Sequence, residues 1–356
     1  MTADGHSSAA PDVVDVVALG ESMVTFLPTR PGRLADVPSF ERTIGGAESN
    51  VACMLAAAGH STRWVSRVGA DGFGDHLVET VGGYGVDVAR VRRDAARPTG
   101  IYFRTAADRA TDAHEVAYYR AGSAASAMAV DNVDLTAVRA GRILHLSGIT
   151  AALSDDCLAL MHELTAPRPG RPLVSFDVNY RPALWPDADG SRVLLELARR
   201  ADIVFVGDDE ARQAWGLHGG RAILDALPEP RTVVVKHGRG GATAFDSDTA
   251  GLDDADGTAT LVRPPTVDVI AHVGAGDAFA AGFLSATLRG LPRRERIRHG
   301  HLMAAAALTT PGDLATPPAR SHADRLAALD DEAWGRLRLG PGWTQAEQAP
   351  EEANTP

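Results

Sequence analysis

Four residues late in the chain, Gly274-Ala275-Gly276-Asp277, combine small side chains with a single carboxylate. The apolar run that follows predicts a helix, and the first backbone N–H groups of a helix favour an anion such as phosphate. The carboxylate would repel that phosphate, yet it is well placed to take a proton from an attacking hydroxyl. The pattern predicts Asp277 as a catalytic base beside an anion hole formed by Gly274, Ala275 and Gly276. Without further context, an ordinary glycine-rich turn with an Asp at a helix start explains the same residues.

A second glycine-rich run extends from Lys236 to Ala242 and follows a predicted strand. Its members Lys236, Gly238, Gly240 and Gly241 predict a cradle for the phosphates or the base of a nucleotide. The same composition is common in β-turns, so this run gains weight from its partner at residues 274–277.

The elements that must hold these runs alternate between apolar, β-rich stretches and helical ones. The predicted strands are Val13–Leu19, Thr62–Val68, Ile143–Leu146, Leu173–Asp177, Ile203–Val206 and Thr232–Lys236, and each has a helical segment after it, such as Asn50–Ala58 or His76–Tyr84. Short apolar strands with intervening helices favour a parallel sheet covered on both faces. We therefore predict the α/β class with a central, mostly parallel sheet.

Two segments, at about 22–44 and 100–120, break this rhythm with alternating polar and apolar residues. Such strands suit a small sheet with one face in water, and we predict that they form a lid over a cleft. The polar ends, residues 1–12 and 340–356, are predicted to be flexible tails. One domain then spans residues 13–330.

The composition limits the classes of partner. The net charge of −11 argues against an extended basic face for nucleic acid, and no apolar run is long enough to cross a bilayer. Residues 1–12 lack the apolar core of a signal peptide. The two cysteines, Cys53 and Cys157, lie in apolar helical stretches without metal-ligand spacing and are predicted to be buried free thiols. We expect a cytoplasmic protein that acts on a small molecule.

With both glycine-rich runs in view, the chain resembles the ribokinase-like (PfkB) carbohydrate kinase family from about Val13 to about Leu329. Residues 274–277 are similar to its C-terminal signature, and residues 45–50 (Gly-Gly-Ala-Glu-Ser-Asn) to its N-terminal one. The resemblance implies a three-layer α/β sandwich with a small β-sheet lid and an ATP-dependent sugar kinase. It also implies that Gly45 and Gly46 approach the sugar and that Asn50 opens a helix beside it.

Within the family, the chain is most similar to the kinases of 2-keto-3-deoxygluconate. Three segments carry this similarity: Tyr118–Ala125, Asp177–Pro182 and Gly312-Asp313. It implies that a sugar acid is phosphorylated in a pocket lined by Gly46, Tyr102, Tyr119, Arg120, Arg181 and Asp313. Guanidinium groups hold a carboxylate well, and tyrosine hydroxyls would bind the keto and hydroxyl oxygens.

Three positions depart from the family pattern. Ala271 stands where an Asp usually helps to bind a monovalent cation, which leaves K⁺ activation open, with Asp268 as a substitute. Gly207 replaces the Asn of an Asn-x-x-Glu motif that organises Mg²⁺, although Glu210 is kept and Asp208 is a neighbouring oxygen donor. His301 stands on the nucleotide-side helix where relatives often have Asn. The resemblance still implies ATP and Mg²⁺ as ligands.

Other functions compete with a sugar-acid kinase. A kinase for a neutral sugar such as fructose or ribose would share the scaffold. A non-catalytic sugar-acid-binding protein is favoured by the changes at Ala271 and Gly207 and opposed by the retained Asp277. A nicotinamide-dependent oxidoreductase ranks last, because Gly20-Glu21-Ser22-Met23 after the first strand lacks the Gly-x-Gly-x-x-Gly turn. A homodimer or higher homo-oligomer, with a lid-sheet edge pairing with its mate, also stays open.

Overall fold

The structure is a computed structural model that describes residues 12–105, 115–185, 189–246 and 259–348. Numbered along the chain, its strands are β1 Val14–Leu19, β2 Met23–Pro28, β3 Phe40–Gly45, β4 Thr62–Val65, β5 Arg67–Gly69, β6 Arg92–Asp94, β7 Ile101–Arg104, β8 Val116–Tyr119, β9 Gly141–Ser147, β10 Leu173–Asp177, β11 Ile203–Gly207, β12 Thr232–Lys236, β13 Ala242–Asp246, β14 Ala259–Val262, β15 Thr266–Val267 and β16 Arg338–Leu339. Its α-helices are α1 Ala47–Ala57, α2 Gly72–Gly83, α3 Leu135–Arg139, α4 Gly148–Ala151, α5 Asp155–Thr165, α6 Gly190–Arg199, α7 Asp208–Trp215, α8 Gly219–Ala226, α9 Ala275–Leu288, α10 Arg293–Leu308, α11 Arg320–Ala327 and α12 Asp331–Arg336.

The central sheet has eight strands in the order β14-β13-β12-β11-β10-β9-β1-β4. From β4 to β12 all neighbours pair in parallel, which confirms the predicted α/β class. The prediction of a helix after every strand is wrong at β12. That strand turns back into β13, and β13 into β14, both in antiparallel pairs. Gly238 and Gly241 have φ angles of 54° and 105°, a left-handed backbone that glycine adopts without strain and that lets the chain reverse here.

Both faces of the central sheet are covered, as its apolar strands require. In β11, Val204 and Val206 point into a core shared with α5, α6 and α8. The alternate residues Ile203 and Phe205 point the other way, into a core shared with α1, α9 and α10. This alternation produces three layers, with helices on each side of the sheet.

Two predicted boundaries shift for local reasons. The strand predicted over Thr62–Val68 divides at Ser66, whose hydroxyl donates to the carbonyl oxygen of Gly20. The first part, β4, joins the central sheet, whereas β5 pairs with β6 in a separate ribbon. Helix α1 begins at Ala47, three residues before the predicted start at Asn50, because Gly46 already adopts the extended N-cap conformation.

The segments predicted to form a lid contribute a separate four-stranded sheet in the order β3-β2-β7-β8. Strand β2 pairs with β3 antiparallel and with β7 parallel, and β7 pairs with β8 antiparallel. Strand β3 ends at Gly45, so a single residue, Gly46, separates the lid from α1. The predicted second segment also includes residues 106–114, which lie outside the described residues.

The C-terminal boundary differs from the predicted one. Beyond residue 330, helix α12 and strand β16 follow, and β16 pairs with β15. A 3₁₀ helix then spans Trp343–Gln348, and the Trp343 indole, only 8% exposed, packs into the core of the α9–α10 face. Burying so large an apolar ring stabilises this segment of the chain. The prediction of a flexible tail from residue 340 onward is therefore wrong for residues 340–348. Residues 1–11 and 349–356, also predicted to be tails, lie outside the described residues.

Within the described ranges, no helix is both long enough and apolar enough to cross a membrane. Both cysteines are buried and unpaired, as predicted.

Replacing Trp343 by alanine tests whether the chain end belongs to the core. We expect the free energy of unfolding to fall by about 3 kcal/mol, because a large buried ring leaves a cavity. Denaturant unfolding measures the change, and Val13→Ala, at a side chain that is 71% exposed, is the control. A change no larger than that of the control would show that Trp343 does not stabilise the domain.

Candidate functional site

Polar groups collect where the parallel strands of the central sheet end. Asp177 ends β10, Lys236 ends β12, and Asp208 and Glu210 start the helix after β11. Because the carboxyl ends of parallel strands share one edge, this is where α/β proteins place their ligands.

Helix α9 brings Asp277 to the same edge. Its N-cap, Gly274, has a φ of 75°, and a Cβ there would overlap the backbone carbonyl oxygen of Asp313. A glycine is therefore required for both conformation and space. Asn50 on α1 donates through Nδ2 to Oδ2 of Asp277 at 2.8 Å, which fixes the carboxylate. Ala275 and Gly276, in the first turn of α9, line the neighbouring cleft.

The surroundings of Asp277 raise the pKa of its carboxyl. Burial raises the pKa of its carboxyl to about 7, and the negative charges of Asp177 and Asp313 act in the same direction. The hydrogen bond from Asn50 and the ammonium of Lys236 oppose that shift. A carboxyl with a pKa near neutrality is suited to accept and release a proton under physiological conditions.

Lys236 is the cation at the centre of the edge. Its Nζ lies 3.1 Å from each carboxylate oxygen of Asp177. Asp177, Glu210 and Asp277 all raise the pKa of Lys236, against the effect of burial, so the ammonium stays charged. It also lies close to Gly276, which places a positive charge beside the predicted anion hole.

Glu210 and Asp208 show how a divalent cation would be held. One carboxylate oxygen of Glu210 accepts from the backbone N–H of Gly207 at 2.7 Å, and the other lies 3.5 Å from Arg181. Burial raises the pKa of Glu210. Asp208 has a buried carboxylate oxygen without a hydrogen-bond partner among the described residues, which fits a role as an Mg²⁺ or water ligand. Among the described residues, no group of three or more His, Cys, Asp or Glu side chains is placed to hold a metal ion.

The opposite wall of the site is built around Asp313. Arg104 of β7 donates to one of its carboxylate oxygens at 2.6 Å, and the Tyr102 hydroxyl donates to the other at 3.1 Å. A Cβ at Gly45 would overlap the Tyr102 hydroxyl and come 2.7 Å from Asp313. Gly45 therefore touches the wall itself. A Cβ at Gly46 would instead press on the backbone of Glu21 and Ser22, so its small size serves packing between strand and helix.

The structure corrects the predicted role of Tyr119. Successive residues of a strand face opposite sides of a sheet, and Tyr119 pairs with Ile101 whereas Tyr118 pairs with Tyr102. The Tyr118 and Tyr102 rings lie 5.3 Å apart on the Asp313 side, while Tyr119 contacts Phe103 on the other face. Tyr118 is therefore the tyrosine of β8 that accompanies Tyr102.

The two arginines predicted to clamp a carboxylate differ in availability. Arg120 is buried against Glu21 in an ion pair, with side chains 10% and 1% exposed, so its charge is already compensated. Arg181 is 52% exposed, and its nearest carboxylate, Glu210, is 3.5 Å away. Arg181 is the more exposed of the pair, whereas Arg120 keeps its Nε without a hydrogen-bond partner among the described residues.

A cleft of about 550 Å³ lies beside the N-terminus of α9. Of the predicted nucleotide residues, Lys236, Gly238, Gly241, Gly276 and His301 line it. Gly274 is turned towards Asp313 instead, and Gly240 lies within the same turn as Gly238 and Gly241. The wall formed by α9 and α10 is apolar, as suits the face of a planar base.

The loop before α9 contains Ala271, and its methyl group offers no oxygen to a cation. The carboxylate of Asp268, the proposed substitute, lies next to Gly340 at the β15–β16 ribbon. The backbone N–H groups of Ile270 and Ala271 both point to the carbonyl oxygen of Leu308.

Several residues of the site escaped sequence reasoning. Arg104, Glu21 and Tyr118 gave no isolated signal, because each is one polar residue within an apolar or alternating strand region. Asp177 stood in a quoted segment, but its pairing with Lys236, 59 residues away, is visible only in three dimensions. Tyr118 is identified by the register that pairs it with Tyr102 across the two strands.

Comparison with known proteins adds to this geometry. Residues 14–320 match the model of the pfkB family carbohydrate kinases. The chain is 34% identical to 2-dehydro-3-deoxygluconokinase of Thermoproteus tenax over 320 residues, which cover 88% of this chain and 94% of that protein. It is 33% identical to the enzyme of the same name from Bacillus subtilis, over 89% of this chain and 95% of that one.

Solved structures agree on the fold. A PfkB protein from Polaromonas sp. JS666 is 32% identical, with a TM-score of 0.75 over 87% of this chain and 99% of that one. A sugar kinase from Pyrococcus horikoshii, solved in complex with ATP, has a TM-score of 0.75 over 90% of this chain and all of that one. At 24% identity the second similarity concerns the fold.

The raised pKa of Asp277 predicts a pH-dependent gain in stability from Asp277→Asn. A carboxyl whose pKa is higher in the folded protein than in the unfolded chain destabilises the fold increasingly as the pH rises from the lower value to the higher. Because asparagine cannot ionise, we expect the variant to raise the melting temperature by more at pH 8 than at pH 5. Asp225→Asn, at an exposed ion pair, is the control. An equal gain at both pH values would contradict a raised pKa.

Proposed function

The chain belongs to the PfkB family of carbohydrate kinases, and from this premise we propose that it transfers the γ-phosphoryl group of ATP to a hydroxyl of a sugar acid. The first candidate is 2-keto-3-deoxygluconate, also called 2-dehydro-3-deoxygluconate. The observation that carries the proposal is the position of Asp277. It lies at the N-terminus of a helix, between a polar wall on Asp313 and a cleft of nucleotide size.

Asp277 is the general base in this proposal. The acceptor hydroxyl gives its proton to the carboxylate as its oxygen attacks the γ-phosphorus, and ADP leaves on the opposite side. Asn50 holds the carboxylate in one orientation throughout. Because the pKa of the Asp277 carboxyl is near 7, a substantial fraction of it is ionised at neutral pH and can accept the proton.

The negative charge of the transferred group meets the N-terminus of α9. The backbone N–H groups of Ala275 and Gly276 and the ammonium of Lys236 supply donors and positive charge at this point. Asp177 keeps the ammonium in position before the nucleotide arrives. Gly274 allows the helix to begin close enough to Asp313 for sugar and phosphate to share one site.

Mg²⁺ is proposed to be held by Asp208 and Glu210, directly or through water, together with the nucleotide phosphates. When bound, it neutralises phosphate charge. Independence from K⁺ is also proposed, since the side chain of Ala271 has no oxygen and Asp268 lies at the β15–β16 ribbon.

Two observations bear on the sugar. The relatives named for 2-dehydro-3-deoxygluconate and the exposed guanidinium of Arg181 support a carboxylate-bearing substrate. In contrast, Arg104 and Arg120 are already paired with Asp313 and Glu21, so their charges are largely compensated. This compensation favours a neutral sugar, such as fructose, as the second candidate.

Two further proposals concern cellular context. A cytoplasmic location fits an enzyme that consumes ATP and has two reduced, buried thiols. Homodimerisation through β8 is proposed because β8 is an edge strand of the lid with exposed Val116, Tyr118 and Tyr119.

The kinase proposal is tested by ADP release with ATP and Mg²⁺ over a panel of sugar acids and neutral ketoses, in K⁺ and in tetramethylammonium. We expect turnover with 2-keto-3-deoxygluconate at the same rate in both salts. Asp277→Asn should lower kcat by about 10²–10⁴-fold, because the base is lost, while the sugar still binds by calorimetry. Appreciable turnover by this variant would remove Asp277 as the base, and a clear preference for fructose would overturn the sugar-acid assignment.

The alternation of β8 predicts a contrast between neighbouring tyrosines. Tyr118→Phe should raise the KM for the sugar several-fold, because a hydroxyl on the Asp313 side is lost. Tyr119→Phe should leave KM unchanged, since that ring lies on the other face of the lid. The two variants differ by one position and remove the same atom. Equal effects, or a larger effect at Tyr119, would contradict the assignment of faces.

A further inference from the structure

His301 is a polar residue on an otherwise apolar wall of the nucleotide cleft. It lies on α10 and is 6% exposed, and its ring meets the Phe279 ring edge-on at 5.3 Å. The other α10 residues that line the cleft are Ala304, Ala305 and Leu308. The imidazole is therefore the group on this helix that can form a hydrogen bond with a bound base.

One hydrogen bond determines the tautomer of the His301 ring. Nε2 lies 2.9 Å from the backbone carbonyl oxygen of Val262. A carbonyl oxygen accepts but cannot donate, so Nε2 must carry the hydrogen. Burial lowers the pKa of His301 to about 4, which keeps the imidazole neutral at physiological pH. Nδ1 is then left with a lone pair and no hydrogen.

That lone pair is available to a ligand. Within the described chain, Nδ1 of His301 has no hydrogen-bond partner, and it is not among the buried polar atoms that lack one. Since His301 lines the cleft, its small remaining surface is turned towards the cleft. The wall thus offers a fixed acceptor and no donor at this point.

We propose that His301 selects the base of the nucleotide, by accepting a hydrogen bond at Nδ1 from an exocyclic amino group. This inference rests on the proposed kinase function. Adenine has an amino group at position 6, whereas guanine and hypoxanthine have an oxygen there. An oxygen would face the lone pair of Nδ1 as a second acceptor, and both atoms would lose their hydrogen bonds to water without replacement. ATP is therefore favoured over GTP and ITP.

The test compares kcat/KM for ATP, GTP and ITP in the full-length chain. We expect ATP to be preferred over both others by about tenfold or more, the effect of one lost hydrogen bond with an unsatisfied partner. His301→Leu should reduce this preference to about twofold by raising the KM for ATP, because the acceptor is lost. His301→Gln should instead improve the use of GTP and ITP, since an amide can turn its N–H towards an oxygen.

His299 provides a matched control on the same helix. It is also buried, at 5% exposed, and it contacts Asp324 away from the cleft. His299→Gln should leave the order of the three nucleotides unchanged. If it alters the ratios as much as His301→Gln does, the effect belongs to the stability of α10 and the proposal is overturned.

ITP separates the two positions at which guanine differs from adenine. Hypoxanthine shares the oxygen at position 6 but lacks the amino group at position 2. If the wild type uses ITP as well as ATP and rejects GTP, discrimination occurs at position 2 and the proposal fails while the kinase function stands.

Calorimetry with ADP, GDP and IDP gives the same comparison without turnover. Absence of ADP release with every sugar would contradict the kinase function, whereas tighter binding of ADP than of IDP would still support the role of His301.

Discussion

The hydrogen bond from Asn50 to Asp277 joins two helices whose residues are 227 positions apart in the sequence. Helix α1 contributes the donor and α9 the carboxylate, and both pack on the same face of the central sheet. The other parts of the site are arranged around this contact. The Asp313 wall meets α9 at Gly274, and the cleft opens on the side of Ala275 and Gly276.

The site concentrates negative charge that the fold must offset. Asp177, Glu210, Asp277 and Asp313 are brought to one region, and burial raises the pKa of the last three. Lys236 and Arg104 compensate part of this charge through direct contacts. The uncompensated remainder costs stability, and it keeps Asp277 basic enough to take a proton. Stability and proton affinity are thus set by the same burial.

The sequence predicted those features that depend on a short stretch of chain. The ends of β10 at Asp177 and of β12 at Lys236 were placed correctly, because each strand is an apolar run that stops at a charge. Asp277 was placed correctly at a helix start, because a glycine-rich turn and an apolar run are adjacent in the chain. The fold class followed from the regular alternation of strands and helices.

Features that depend on distant parts of the chain were less accessible. The face of Tyr118 depends on the register between β7 and β8, and a slip of one residue exchanges it with Tyr119. The pairing of Arg120, a predicted sugar-binding residue, with Glu21 and that of Arg104 with Asp313 join residues far apart in the sequence. The burial of Trp343 required knowledge of the α9–α10 face, because the flanking residues are polar.

The short junction at Gly46 has a mechanical consequence. Strand β3 of the lid ends at Gly45, and the helix that carries Asn50 starts at Ala47. The lid sheet and this helix are therefore joined by a single residue. A Cβ at Gly46 would press on the backbone of Glu21 and Ser22, so the close packing restricts movement of the chain at this junction. A shift of β3 along its own direction would therefore be passed to the first turn of α1, and with it to the side chain that donates to Asp277.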